Sequence, residues 1–250
     1  MTAVVGFAGK GGVGKTSLGA LFLKSLIAGG KKAILVIDSD PNESLPVVLG
    51  IEKFVRMSDI VKGYEGKTMH PEKFAEDIRD VCEDLCERVR ALMGEGRVPI
   101  ALGGDHSIAM GSVAGTAKYY QERGQQIGLL WVDAHGDMNT PETTTSGNVH
   151  GMPLAALLGQ EPSELSAIGT SPSVQAKHAV LVGVRNLDDR EKDQIRASGV
   201  HVFTMKDVDR EGIARIAERA IALAGDGTGG IHVSFDLDAC DPTFAPGVGT

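Results

Sequence analysis

The chain has 250 residues, 42% of them hydrophobic, which is enough for one large α/β domain or two small ones. Its formal net charge of -8 argues against nucleic acid or an anionic membrane surface as a partner, because both attract basic proteins. No apolar run approaches the roughly 20 residues of a membrane span, and no secretory signal pattern opens the chain, so we expect a cytoplasmic protein.

Apolar runs rich in Val, Ile and Leu alternate with amphipathic segments along the chain. The runs predict buried strands at Ala3–Phe7, Ala33–Asp38, Val98–Leu102, Ile127–Asp133, Ala179–Val184, His201–Met205 and Ile231–Asp236. Helical patterns lie at about 15–29, 72–94, 107–123, 187–198 and 207–224. This alternation predicts an α/β fold, a three-layer αβα arrangement around a largely parallel, doubly wound sheet.

The first predicted strand leads into a glycine-rich loop that fits the phosphate-binding pattern G-x-x-x-x-G-K-[ST]. Its residues are Gly9, Lys10, Gly11, Gly12, Val13, Gly14, Lys15 and Thr16. Between a strand and a helix, the backbone N–H groups of such a loop hold phosphates. Together with Asp38 and Asp40 after the second strand, the segment 1–64 resembles the deviant Walker A ATPases, the class of nitrogenase iron protein and nickel-insertion ATPases. That resemblance implies ATP and Mg²⁺ at the loop.

Such ATPases also need an Asp-x-x-Gly switch, which the stretch Asp133–Gly136 matches. We interpret this match as a coincidence, because another motif explains the same stretch over many more residues. The region 53–71 is polar and weakly patterned, and we place the boundary between the two segments there. Beyond it, Cys82 and Cys86 lie on or beside an apolar helical stripe; they could ligate a metal, but we favour a core role.

Three short polar clusters follow or end predicted strands in the remainder of the chain. They are Gly103–Ser107, Asp133–Asp137 and Ser234–Asp238. In an extended chain alternate residues face one side, and parallel sheets bind ligands beyond the carboxyl ends of their strands. Each cluster alone could be a strand-end turn with a capping Asp. Together they predict a metal site formed by His106, Asp133, His135, Asp137, Asp236 and Asp238. Four carboxylates and two imidazoles suit a pair of hard divalent ions and favour manganese over zinc or copper.

The run Trp131–Thr140, followed by Thr144–Pro153, closely resembles arginases, and the resemblance extends from about residue 71 to 250. It includes Gly183–Asp188 and Ala245–Thr250. Agmatinases share the metal clusters but usually lack the segment Ser146–His150, so arginine is favoured over agmatine. The resemblance implies an arginase-like metallohydrolase core over 65–250 that converts L-arginine to L-ornithine and urea. It also implies a homo-oligomer, either a trimer or a hexamer.

The same resemblance implies two Mn²⁺ ions and a role for each ligand. One ion would take His106, Asp133, Asp137 and Asp236, the other Asp133, His135, Asp236 and Asp238, with Asp133 and Asp236 bridging. A hydroxide between the ions would attack the guanidinium carbon. Asp137 would pass the proton to the leaving amine. His150 resembles the family's proton shuttle, although it could also be a turn histidine that bonds backbone.

The amino-acid end of the substrate is recognised through polar side chains in this family. The resemblance assigns the α-carboxylate to Asn139, Ser146 and Asn148, and the α-amino group to Asp188 and Glu191. Asp188 and Glu191 could equally be acidic residues in the first turn of the helix beginning near residue 187, where the helix dipole favours negative charge.

Both resemblances are partial, which predicts a chimeric chain. The resemblance to arginases implies a strand and a Gly-rich loop before residue 71 and a Gly-Gly-x-x-x-Arg-Glu segment after residue 250. This sequence contains neither feature. Because that Glu pairs with the substrate guanidinium, impaired turnover is expected. The alternatives are a nucleotide-binding protein and a metal-binding protein without activity. We further expect residues 1–52 to add a substitute edge strand, Ala33–Asp38, to the sheet.

Overall fold

In the computed structural model, the described residues are 3–8, 21–22, 24–25, 28–29, 34–38, 55–56 and 74–243. Their strands are β1 (Ala3–Ala8), β2 (Ile34–Asp38), β3 (Val55–Arg56), β4 (Val98–Leu102), β5 (Ile127–Val132), β6 (Ala179–Val184), β7 (His201–Thr204) and β8 (Gly230–Asp236). These strands form one parallel sheet in the order β3-β2-β4-β1-β8-β5-β6-β7. The predicted α/β class with a parallel sheet is confirmed.

The helices described over their whole length are α1 (Phe74–Gly94), α2 (Ile108–Gln121), α3 (Pro153–Leu157), α4 (Ser163–Ser166), α5 (Asp189–Ser198), α6 (Met205–Glu211) and α7 (Ile213–Gly225). The helix predicted over 207–224 is two helices, because Gly212 between them has a φ of 84°, outside the helical range. A capping box of Thr204 and Asp207 starts α6. The short helices α3 and α4 were not predicted, since neither is long enough to show a repeating apolar stripe. None of the described helices is long and apolar enough to cross a membrane.

Helices cover both faces of the sheet, as the alternation of side chains along the strands requires. Leu129 and Trp131 of β5 pack in one core cluster with side chains of α1 and α2, whereas Leu130 packs in another with side chains of α7. Gly111 of α2 allows α1 to come close, because a Cβ there would lie 2.5 Å from the carbonyl oxygen of Cys82. Cys82 and Cys86 are buried in this helix contact, which agrees with a core role.

The N-terminal strands lie inside the sheet, which corrects one expectation. The segment 1–52 was expected to supply an edge strand, but β1 pairs with β4 on one side and β8 on the other. Strand β2 lies between β4 and the two-residue strand β3, which forms the edge. An apolar six-residue run such as β1 suits an interior position, since both faces of such a strand are covered in parallel sheets. The three polar clusters follow or end β4, β5 and β8, whose carboxyl ends lie at one edge of the sheet because the strands are parallel.

Candidate metal centre

The chain turns sharply after each of the strands that carry the candidate ligands. After β4, Gly103 and Gly104 have φ values of 111° and 60°, and His106 follows just before α2. Asp137 has a φ of 50°, a left-handed conformation that costs a non-glycine residue about 1 to 2 kcal/mol. Its carbonyl oxygen accepts the N–H groups of Leu154 and Ala155 at 3.0 and 3.2 Å, and these bonds hold the unusual turn.

Three of the predicted ligands form a set that we name the buried group: His106, Asp133 and Asp137. Their ligand atoms lie within 4.8 Å of one another, and all three side chains are buried. His106 Nδ1 lies 2.8 Å from Asp133 Oδ2 and 2.9 Å from Asp137 Oδ2. Asp236 Oδ2 lies 3.6 Å from the same nitrogen. One ring nitrogen therefore faces three carboxylates.

A second set, the outer group, consists of Asp133, His135 and Asp238, again within 4.8 Å of one another. His135 Nδ1 lies 3.1 Å from Asp238 Oδ2 and 3.4 Å from Asp133 Oδ1. Asp133 belongs to both sets, with Oδ2 towards His106 and Oδ1 towards His135. Asp236 falls in neither set at this distance, although its Oδ1 accepts the N–H of Asp238 at 2.9 Å.

The electrostatics of the cluster follow from burial and close charges. Burial opposes the charge of Asp133, but hydrogen bonds with His106 and His135 hold the pKa of its carboxyl well below the usual range. Hydrogen bonds with Asp133 and Asp238 raise the pKa of His135 to about 10. Burial and the charge of Asp133 raise the pKa of Asp137, and burial raises the pKa of Asp236 to about 6. The cluster by itself thus retains protons that a bound cation would displace.

These donors fit a pair of hard divalent cations. Asp137 Oδ2 is buried and has no hydrogen-bond partner among the described residues, although it lies 2.9 Å from His106 Nδ1. A single N–H cannot satisfy the three carboxylates around that nitrogen. A cation would satisfy all of them, and the carboxylate and imidazole donors are those that Mn²⁺ accepts.

The residues predicted for the α-amino group are close to one another and to Asn139. Asn139 Nδ2 donates to Asp188 Oδ2 at 3.2 Å, and Asp188 Oδ1 accepts the N–H of Glu191 at 2.9 Å. Asp188 is therefore the N-cap of α5, as the helix-dipole alternative anticipates. Glu191 is buried and accepts the N–H of Met138 at 3.0 Å, and this burial raises the pKa of its carboxyl. Roles in substrate binding stay predictions for all three.

Ser146, Asn148 and His150 lie in the loop that precedes α3, with exposed side chains. Ser146 Oγ accepts the N–H of Asn148 at 3.2 Å, which forms a local turn. His150 lies in the 3₁₀ turn Val149–Gly151, and this turn is attached to the metal loop because Asn139 N–H donates to Gly151 O at 3.0 Å. Their roles also stay predictions.

The predicted phosphate-binding loop, residues 9–16, and Asp40 lie outside the described residues, as does the stretch 245–250. Asp38 is the last residue of β2. The division into segments at residues 64 and 65 stays a prediction.

Sequence reasoning missed several side chains that contact the ligands. Trp131 Nε1 donates to Asp133 Oδ2 at 3.2 Å, and its ring stacks on His106 at 4.0 Å. Ser234 Oγ lies 2.8 Å from His106 Nε2, and Asn186 Nδ2 lies 3.3 Å from His135 Nε2. Trp131 and Ser234 each precede a ligand by two residues on a strand, so the alternation of side chains was a usable signal.

Comparison with known proteins shows a similarity to arginases that covers much more of the chain than the metal motifs. A family model described as the arginase family matches residues 49–250, and so begins within the segment that resembles an ATPase. Arginase of Bacillus caldovelox is 49% identical over 174 residues, which are 69% of this chain and 57% of that protein. Arginase of Brevibacillus brevis is 46% identical over 179 residues, 71% of this chain and 59% of that protein. The chain thus spans less than two thirds of the length of these relatives.

Solved structures match over almost the whole chain. The structure of Bacillus caldovelox arginase superposes with a TM-score of 0.75 and 35% identity, over 100% of this chain and 81% of that one. Entamoeba histolytica arginase in complex with L-ornithine has a TM-score of 0.71 and 28% identity, over 97% of this chain and 77% of that one. Formimidoylglutamase of Bacillus subtilis, at 18% identity and a TM-score of 0.61, shares the fold.

Proposed function

Because the chain belongs to the arginase family, we propose that it binds two Mn²⁺ ions and hydrolyses L-arginine to L-ornithine and urea. The observation that carries this proposal is the pair of ligand sets that share Asp133. The names of the relatives support the reaction, and the Entamoeba histolytica arginase was solved with L-ornithine, the amino-acid product.

Each ion would be held by one of the two sets. The buried group would hold one ion and the outer group the other, with Asp133 between them and Asp236 completing the coordination. When bound, the ions would lower the pKa of a shared water so that hydroxide is present near neutral pH. Four carboxylates balance the charge of two divalent ions, and the added hydroxide leaves an excess of about -1. A guanidinium cation is attracted to such a site.

Two side chains would handle the protons of the reaction. The buried carboxylate of Asp137 would take a proton and deliver it to the leaving amine, the role that the family resemblance implies. His150 is exposed on the turn attached to Asn139, where an imidazole can exchange protons with solvent.

The amino-acid end of arginine would be bound near the start of α5. Asp188 and Glu191 would contact the α-ammonium group, and Asn139 donates to Asp188. Asn139 and the exposed Ser146 and Asn148 would supply donors for the α-carboxylate. We also propose that the chain forms a homo-oligomer, a trimer or a hexamer, on the family resemblance alone.

The test is a Mn²⁺ titration with urea release measured on the same preparations. We expect two Mn²⁺ ions per chain and Mn²⁺-dependent urea release. Asp133→Asn should lower that release more than about a hundredfold, because metal ions contribute several kcal/mol to such transition states. Asp193→Asn is the matched control, since Asp193 is exposed and pairs with Arg196 on the surface of α5. Urea release that persists in EDTA would refute the proposal, and bound Mn²⁺ without urea would favour the inactive alternative.

Nucleotide binding is a second candidate function. Strand β1 ends at Ala8, directly before the predicted phosphate-binding loop, and Leu21 and Phe22 beyond it are helical. This is the local order that a phosphate-binding loop requires. Equilibrium dialysis with ATP and Mg²⁺ would test it, and binding should be lost in Lys15→Ala and kept in Asp133→Asn.

A further inference from the structure

Arg185 follows β6 at the sheet edge that carries the metal loops, and its guanidinium contacts three consecutive backbone carbonyls. Nη1 donates to Ala239 O at 3.1 Å, while Nη2 donates to Asp238 O at 2.6 Å and to Cys240 O at 3.2 Å. These carbonyls belong to the 3₁₀ turn Leu237–Ala239 and the residue after it. One planar cation therefore holds the turn from which Asp238 projects.

The backbone beside Arg185 holds the other loop of the outer group. The N–H groups of Arg185 and Asn186 both donate to Ala134 O, at 2.8 and 2.9 Å. Ala134 lies between Asp133 and His135 in sequence, and its own N–H donates to Asp238 Oδ1 at 3.3 Å. The chain at Arg185 thus joins the loops after β5 and β8, which together supply every residue of the outer group.

We propose that Arg185 is a positioning residue that sets the affinity of the outer group for its Mn²⁺ ion. This inference rests on the proposed metal site. Without the guanidinium, the three carbonyls would bind water and the turn carrying Asp238 would be free to move relative to His135. The buried group has a different support, because the loop of Asp137 is held by N–H groups of α3. Loss of the Arg185 side chain should therefore weaken the binding of one Mn²⁺ ion and leave the binding of the other unchanged.

Charge and geometry make opposite predictions for this residue. A guanidinium close to a bound cation repels it, so removing the positive charge alone should strengthen Mn²⁺ binding. Removing the support of the turn should weaken it. Lysine keeps the charge but has a compact ammonium group, which cannot reproduce the planar fork that contacts three carbonyls. Arg185→Ala and Arg185→Lys together therefore separate positioning from charge.

The experiment measures both Mn²⁺ affinities by calorimetry in the full chain, with electron paramagnetic resonance as an independent readout. In Arg185→Ala one of the two Kd values should rise about 10- to 100-fold, the range seen when support of a metal ligand is removed, while the other stays within about twofold. The resonance of a coupled ion pair should be replaced by that of isolated Mn²⁺. Arg185→Lys should resemble Arg185→Ala. The matched control is Arg123→Ala, because Arg123 donates to Tyr119 O at 2.7 Å on an exposed surface at the end of α2.

Three results would overturn the inference. The first is unchanged or tighter binding of both ions in Arg185→Ala, and the second is full wild-type affinity in Arg185→Lys. The third is an equal loss of affinity for both Mn²⁺ ions, which would indicate a general loss of structure. If Arg185→Ala does not fold, as judged by circular dichroism in EDTA, the lysine variant decides alone. Failure of the wild-type chain to bind two ions would instead refute the proposed function, and the inference with it.

Discussion

His232 provides a measurable link between burial and acid stability. It lies on β8, is fully buried, and its Nδ1 lies 2.9 Å from Thr116 Oγ1. The Thr116 hydroxyl donates its one hydrogen to Ser112 O at 3.0 Å, so His232 Nδ1–H must donate to the hydroxyl oxygen. His232 Nε2 is left without a partner among the described residues. Burial lowers the pKa of His232 to about 3, because the imidazolium form would be desolvated.

The direction of the pH dependence follows from comparing folded and unfolded chains. Above about pH 6.5 the imidazole of His232 is neutral in both the folded and the unfolded chain, so its burial does not make stability depend on pH. Below that pH the unfolded chain binds a proton that the folded chain refuses, so the free energy of unfolding falls until about pH 3. Each pH unit in this window lowers the free energy of unfolding by about 1.4 kcal/mol, so the loss at pH 4.5 is about 3 kcal/mol. This loss is large, because the free energy of unfolding of a typical domain is only about 5 to 15 kcal/mol.

The assay is urea unfolding of the chain and of His232→Gln in EDTA, at several pH values between 7.5 and 4.5. Glutamine keeps an amide N–H for the Thr116 oxygen and does not titrate. The acidic cluster titrates in both proteins, so the difference between their curves isolates His232. Between the two pH limits, wild type should lose about 3 kcal/mol more than the variant. Parallel curves, with a difference that does not change with pH, would refute the argument.

Three further results are expected. Gly111→Ala should destabilise the chain by about 1 to 3 kcal/mol in urea unfolding, since the added Cβ would lie 2.5 Å from the carbonyl oxygen of Cys82. Gly94→Ala is the control and should not destabilise the chain, because a Cβ at Gly94 has no atom within 4 Å. Equal effects of the two substitutions would contradict the close contact between the helices. Ser234→Ala should weaken Mn²⁺ binding about 10- to 100-fold by freeing the ring of His106, and unchanged affinity in calorimetry would show that the contact does not orient the ligand. Mn²⁺ at about a hundred times its Kd should raise the unfolding free energy by about 3 kcal/mol, and a melting curve insensitive to EDTA would argue against a folded-state metal site.

Much of the architecture and the composition of the site could be derived from local patterns. Alternating apolar runs and amphipathic segments predict a parallel α/β sheet because each pattern depends only on neighbouring residues. Polar residues spaced by two at strand ends predict which side chains share a face, and Asp133, His135, Asp137, Asp236 and Asp238 could be selected on that basis. Asp133 belongs to both ligand sets, and the bridging role of Asp133 and Asp236 stays a prediction.

Tertiary structure alone decided the contacts between distant segments. The position of β1 between β4 and β8 depends on which strand edges meet, and pairing energy is similar for many apolar strands. Ser234 reaches His106 across 128 positions of sequence, and Arg185 holds a turn 53 to 55 positions away. The lowered pKa of His232 likewise arises from burial by elements that no local pattern identifies as neighbours. Local propensity acts over a few residues, whereas hydrogen bonds and desolvation depend on distances in space that only the folded chain establishes.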